Sequence, residues 1–126
     1  MPEKPSFLIV DDDEDTLETL KDCFHEKGYR IETAKTGKDA ITKAKNRFFD
    51  VALIDMKLPD TTGIEVLRTF RRNYPNMANI IITGNATVQN TVDALNLGAN
   101  SYVMKPIDIE RLDQTIEKFY EQHQEF

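Results

Sequence analysis

The sequence predicts a five-stranded, doubly wound α/β domain, and three observations carry that prediction. Short apolar runs alternate five times with stretches of helical apolar spacing along the 126 residues, a pattern that gives a parallel sheet with helices on both faces. Capping residues fall at the seams between the two patterns. Acidic, hydroxyl and basic side chains stand where the runs end, at the edge where open α/β sheets bind ligands.

Strands are expected at Phe7 to Val10, Arg30 to Ala34, Val51 to Asp55, Asn79 to Thr83 and Ser101 to Met104. Between and after them run five helical stripes. Leu17, Leu20 and Phe24 form the first; Ala40, Ile41 and Ala44, followed by Phe48, form the second. Ile64, Leu67 and Phe70 form the third, Val88, Val92 and Leu95 the fourth, and Ile109, Leu112, Ile116 and Phe119 the fifth and clearest. Thr62-Gly63-Ile64-Glu65 reads as a capping box opening the third helix. Thr36 and Asp108 are expected N-caps, and Gly28 and Gly98 sit where helix ends favour a left-handed residue. Right-handed crossovers restrict the topology further. The polar tail from Tyr120 to Phe126 is expected to fray beyond the last packed turn.

Composition sets the class. With 40% hydrophobic and 30% charged residues, the chain reads as one ordinary globular domain spanning residues 1–126. There is no internal repeat, low-complexity tract or linker. The net charge of −6, from 22 acidic against 16 basic residues, argues against nucleic acid or an anionic membrane as direct partner. Cys23, the single cysteine, allows no internal disulfide and is expected to pack in a helix as a small apolar residue. Met1-Pro2-Glu3-Lys4-Pro5 lacks the apolar stretch of a signal peptide, and no run is long enough for a membrane span. A cytoplasmic setting is the expectation.

The residues with chemistry are Asp11, Asp12 and Asp13 after the first strand, Asp55 ending the third, Thr83 ending the fourth and Lys105 after the fifth. If the first and third strands are neighbours, their acids converge. Carboxylates about 4 Å apart repel by roughly 4 kcal/mol per pair at an effective dielectric near 20, so a hard divalent cation with oxygen ligands is implied. A carboxylate can attack a phosphoryl group to give an acyl phosphate, and the same cation neutralises phosphate oxygens. A lysine and a hydroxyl complete a phosphoryl-transfer site that has neither a general base nor a nucleotide loop. Acids also favour helix N-termini, and this is the reading for Asp13 and Asp15. His25 and His123 fall on helix or tail surfaces with no catalytic role expected.

Several pieces then match one family in order and spacing: Leu8-Ile9-Val10-Asp11-Asp12, Leu53 to Asp60 with Gly63, Ile81-Ile82-Thr83-Gly84, and Gly98-Ala99 with Tyr102-Val103-Met104-Lys105-Pro106. With them the chain closely resembles a response-regulator receiver domain of two-component signalling, chemotaxis-regulator-like, with a flavodoxin-like (βα)5 fold. The resemblance implies that Asp55 is the phosphoacceptor for a histidine kinase or phosphotransfer protein. It implies Mg²⁺, or Mn²⁺ in its place, held by Asp12 directly, Asp11 through water, Asp55 and the backbone carbonyl of Lys57. Thr83 and Lys105 would contact phosphoryl oxygens, Gly84 would leave room for the group, and Tyr102 would move inward as Thr83 is drawn to it. Lys105-Pro106 is the candidate cis peptide. The fourth helix, fifth strand and fifth helix, with Arg111, would form the output face for a partner, an output domain or a homodimer. Asn100 stands where many relatives carry Asp, which removes one charge used in a dimer of transcription-factor relatives. Lys57 and Asn85 occupy the family's positions for tuning dephosphorylation. The protein would catalyse its own phosphorylation and dephosphorylation but turn over no separate substrate, and so would be no enzyme in the usual sense.

Two rivals share some residues. Asp11, Asp13 and Asp15 have the spacing of a calcium-binding EF-hand loop, but Thr16 replaces its glycine and Asp22 its final glutamate. A small Mg²⁺-dependent phosphatase with an aspartyl-phosphate intermediate is the alternative enzyme. It would react at Asp11 with Asp13 beside it, but Asp15 departs from its motif and no cap segment is present to enclose a substrate.

Overall fold

The structure, a computed structural model, describes residues 4–84 and 87–124. Strands and helices alternate as β1 (Ser6–Val10), α1 (Glu14–Glu26), β2 (Arg30–Ala34), α2 (Gly37–Asn46), β3 (Val51–Asp55), α3 (Gly63–Asn73), β4 (Ala78–Thr83), α4 (Val88–Asn96), β5 (Ser101–Met104) and α5 (Ile109–Gln124). All strand pairs are parallel, in the order β2-β1-β3-β4-β5. Three strands have the expected bounds. β1 and β4 each begin one residue earlier because Asp50 ties both starts down. Its carboxylate accepts from Ser6 N at 2.9 Å and Ser6 Oγ at 3.1 Å, and its carbonyl accepts from Ala78 N at 2.9 Å.

Period-two alternation divides the core between the two faces of the sheet. Leu8, Val10, Ala52, Ile54 and Ile81 pack with Ala40, Val66, Leu67, Phe70 and Ala94. Phe7, Ile9, Leu53, Ile80 and Ile82 pack with Leu17, Leu20, Phe24, Leu112 and Ile116. Burial on both faces is why residues 7–10, 51–54 and 80–82 read as unbroken apolar runs. Phe7, Phe24 and Tyr29 meet edge to face at 5.2–6.1 Å, a geometry that suits the ring quadrupoles.

The caps fall as expected. Thr36 Oγ1 accepts from Asp39 N at 3.0 Å, Thr62 Oγ1 from Glu65 N at 3.3 Å, and Asp108 Oδ1 from Arg111 N at 3.2 Å. Gly28 and Gly98 have φ of 95° and 101°, a region that penalises any Cβ.

Two expectations need correction. Phe48 does not extend the α2 stripe: Arg47 turns extended, so Phe48 is 53% exposed and Phe49 takes the core position. α4 faces the sheet through Ala94, with Leu97 partly buried, and leaves Val92 and Leu95 43% and 49% exposed; the Val88 side chain lies outside the described residues. α5 runs on past Tyr120 to Gln124 through Glu and Gln, both good helix formers, so the helix is longer than its apolar stripe; Glu125 and Phe126 lie outside the described residues. Cys23 is half-buried on α1. No helix among the described residues is long and apolar enough to cross a membrane.

Candidate functional site

The register builds the site. Val10 pairs with Ile54 across β1 and β3, so Asp11 and Asp55, each one step further on, come to lie side by side. Asp55 pairs with Ile82 in β4, and Thr83 pairs with Met104 in β5, which brings Thr83 and Lys105 to the same rim. Backbone bonds hold the exits: Asp11 N to Ala34 O at 3.0 Å, Met56 N to Ile82 O at 2.9 Å and Lys105 N to Thr83 O at 2.8 Å.

Asp11 is fully buried, Asp55 is 7% exposed, and Asp12 is exposed at the mouth. One carboxylate oxygen from each lies within 4.8 Å of the others. The Lys105 ammonium reaches between two of them, 2.9 Å from Asp11 Oδ2 and 3.1 Å from Asp55 Oδ2. Asp11 Oδ1 accepts from Asp13 N at 3.0 Å, and Asp55 Oδ1 accepts from Lys57 N at 3.2 Å. Asp11 Oδ2 is buried with no hydrogen bond among the described residues, since the ammonium beside it is close but poorly angled. Burial pushes the Asp11 carboxyl above its ordinary value; the Asp13 N–H and Lys105 oppose this, and the Asp55 charge adds to it. Burial alone would lower Lys105, but the Asp11 and Asp55 carboxylates beside its ammonium outweigh that and leave it raised.

Among the described residues, three carboxylates face a single ammonium, and one buried carboxylate oxygen lacks a hydrogen-bond donor. This hard, oxygen-only donor set fits a divalent cation such as Mg²⁺. The Lys57 backbone suits it too. Gly63 N donates to Met56 O at 2.8 Å and Leu58 N to Thr61 O at 3.2 Å, which makes Lys57 and Thr62 a non-hydrogen-bonded pair. The Lys57 carbonyl is thereby left without a hydrogen-bond donor among the described residues.

The remaining expected residues fall in distinct places. Thr83 is buried at the end of β4. Tyr102 is partly buried against the core cluster under α2, α3 and α4, and its Oη is buried without a partner among the described residues. Gly84 is exposed, and a Cβ there would meet nothing within 4 Å. The Lys105-Pro106 peptide is cis. Asn85 lies outside the described residues, and so does the His123 side chain; His25 is exposed. Asp13 stays out of the acid cluster and caps α1, accepting from Asp15 N at 3.3 Å and Thr16 Oγ1 at 2.7 Å, which holds its carboxyl below the ordinary value. The phosphatase alternative gains nothing here: its nucleophile Asp11 is fully buried, and its second aspartate is engaged as a helix cap.

Other polar roles have no signal in the sequence, because each joins distant segments. Asp60 caps α2 from the loop after β3, accepting from Gly37 N at 2.8 Å and Lys38 N at 2.9 Å. Asn100 Oδ1 accepts from Asn79 N at 2.8 Å, which gives it a backbone-capping role at the foot of β4. Tyr29 donates to Asp113 of α5, and burial together with that bond raises its phenol strongly.

A doubly wound parallel sheet with three acids and a lysine on its carboxyl rim is the architecture of a receiver domain. The profile of the response regulator receiver domain family matches residues 7–117. The transcriptional regulatory protein ZraR of Salmonella typhimurium is 33% identical over 115 residues, which are 91% of this chain and 26% of that protein. The crystal structure of a CheY-like response regulator receiver domain protein from Methanospirillum hungatei superposes with a TM-score of 0.92 at 40% identity, covering 99% of this chain and 100% of that one. The solution structure of the beryllofluoride-activated NtrC4 receiver domain dimer gives 0.88 at 35% identity, with 94% and 98% covered. The chain belongs to the response regulator receiver domain family of two-component systems. It spans about a quarter (26%) of the length of its curated relative ZraR.

Proposed function

We propose that this domain is a phosphorylation switch in which Asp55 takes a phosphoryl group from a sensor histidine kinase or phosphotransfer protein. The observation that carries the proposal is the convergence of Asp11, Asp12 and Asp55 within 4.8 Å, with Lys105 bridging Asp11 and Asp55. Asp55 supplies the nucleophilic oxygen: a P–O bond forms to its carboxylate as the donor histidine's P–N bond breaks, and that nitrogen keeps the electron pair. Lys105 stands ready to pair with the charge of the new phosphoryl group, and Thr83 to donate a hydrogen bond to it. Mg²⁺, or Mn²⁺ in its place, would be held by Asp11, Asp12, Asp55 and the Lys57 carbonyl, and would neutralise phosphoryl oxygens. A groove of about 360 Å³ beside Lys105, lined by Leu20, Pro106, Ile107 and Ile109 among others, offers the donor an apolar seat.

Output passes through α4, β5 and α5. As Thr83 is drawn to the phosphoryl group, Tyr102 shifts between inner and outer positions and biases that surface. Exposed Val92, Leu95 and Met104 give it apolar contact area for a partner, an attached output domain or a second copy of the chain. ZraR is a transcriptional regulator and the NtrC4 receiver is a dimer, and both uses suit this face. Nucleic acid is not a direct partner of the domain, the setting is cytoplasmic, and no separate small molecule is turned over.

Acetyl phosphate or beryllofluoride with Mg²⁺ tests the proposal. Mass spectrometry should place the added phosphoryl group on Asp55, and Asp55→Asn should abolish the modification. Modification at Asp11 would restore the phosphatase reading, and modification at neither would end both.

A further inference from the structure

We infer that Asp60 is a positioning residue for the site: it fastens the loop after Asp55 to the first turn of α2 and so fixes the Lys57 carbonyl. The first N–H groups of a helix lack internal acceptors. At α2, Thr36 satisfies one from within its own segment, at Asp39 N. The N–H groups of Gly37 and Lys38 are instead taken, at 2.8 and 2.9 Å, by the two carboxylate oxygens of Asp60. This charged cap comes from the loop between β3 and α3, 22 and 23 residues away in sequence. Its carboxyl is held below the ordinary value by those two N–H groups, so it is ionised and complements the positive end of the helix.

Packing reinforces the tie. A Cβ on Gly37 would come 2.3 Å from Thr61 Cγ2, so the absence of a side chain there is what lets the loop lie against α2. The loop is also closed on itself by the Gly63 N to Met56 O and Leu58 N to Thr61 O bonds. It forms one small hairpin, with Asp60 at its tip on α2 and Lys57 at its base beside Asp55. Freeing the tip lets the base rock, and the Lys57 carbonyl rocks with it.

The inference rests on the reading of Asp11, Asp12, Asp55 and Lys57 as the Mg²⁺ site, and the experiment separates the two. Mg²⁺ is titrated calorimetrically into the unaltered protein and into Asp60→Ala, Asp60→Asn and Thr36→Ala, with thermal unfolding recorded for each. Residues that orient metal ligands typically change affinity ten- to a hundredfold, so Asp60→Ala is expected to weaken Mg²⁺ binding about tenfold. Asp60→Asn, which keeps one acceptor, should fall between. Thr36→Ala removes an α2 cap without touching the loop; it should lower the unfolding midpoint and leave Mg²⁺ affinity unchanged. A folded Asp60→Ala protein that binds Mg²⁺ as tightly as the unaltered one overturns the inference alone. So does a Thr36→Ala protein weakened as much as Asp60→Ala, since the effect would then belong to α2 stability. An unaltered protein that takes up no Mg²⁺ overturns the site reading and this inference together.

Discussion

Replacing Lys105 with methionine removes the ammonium that lies 2.9 Å from Asp11 and 3.1 Å from Asp55 while keeping a side chain of similar length. At an effective dielectric near 20, each of these contacts is a gross attraction of about 5–6 kcal/mol. Desolvating the three ions costs several kcal/mol each and offsets much of that. The loss on substitution is larger than such a balance suggests, because two buried carboxylates remain. Their oxygens lie within 4.8 Å, a repulsion of at least about 3.5 kcal/mol on the same scale. Breaking a buried pair by removing one member typically costs about 3–5 kcal/mol. Unfolding entropy is about 2.1 cal/mol/K per residue, so over 126 residues each kcal/mol shifts the midpoint by about 4 °C. Thermal unfolding at neutral pH with EDTA should therefore show a fall of at least about 10 °C. Three carboxylates and one ammonium sum to −2, and without Lys105 they sum to −3. Mg²⁺ should then raise the midpoint of the variant more than that of the unaltered protein, since a ligand that favours the folded state stabilises in proportion to its affinity. A midpoint within about 3 °C of the unaltered protein in EDTA, or an equal Mg²⁺ gain in both, would refute the view that Lys105 neutralises a strained acid cluster.

Other outcomes follow from the same geometry. Lys57 is exposed beside Asp55, where its charged side chain can lie over a phosphoryl group and hinder water; Lys57→Ala should shorten the acyl-phosphate lifetime several-fold, read by the decay of phosphorylated protein after the donor is removed. Gly63→Ala would drive a Cβ to 2.4 Å from the Asp55 carbonyl oxygen and 2.9 Å from Met56 Cα; overpacking against backbone should cost about 1–3 kcal/mol in urea unfolding. The Asp60 carboxyl is held below the ordinary carboxylate value by the Gly37 and Lys38 N–H groups. Its stabilisation is therefore present above its unfolded value and lost as pH falls through the lower folded value, so Asp60→Asn should flatten the acid limb of the stability profile below about pH 4.

The sequence determined the alternation of elements and the local helix caps, and it named the acids, hydroxyl and lysine that the fold gathers at one rim. Those features are local or periodic: an apolar run, a Thr three residues before a Glu, a glycine after a helix, an acid at a strand's end. Strands β1, β3 and β4 were legible because burial on both faces leaves apolar runs at residues 7–10, 51–54 and 80–82. Only the tertiary structure decided which way α4 turns. Val92 and Leu95 are as apolar as a core stripe, but the close approach to the sheet is made through Ala94. Phe48 and Phe49 are the same residue type, and the extended backbone of Arg47 chose which one is buried. The site itself required register: nothing local places Asp11 beside Asp55, whereas the Val10–Ile54 and Asp55–Ile82 pairings do. Asp60 on α2, Asn100 at β4 and Tyr29 against α5 are bonds between segments 21 to 84 residues apart. Chain closure over such distances is fixed by the collective packing of the sheet and helices, and no single stretch of residues encodes it.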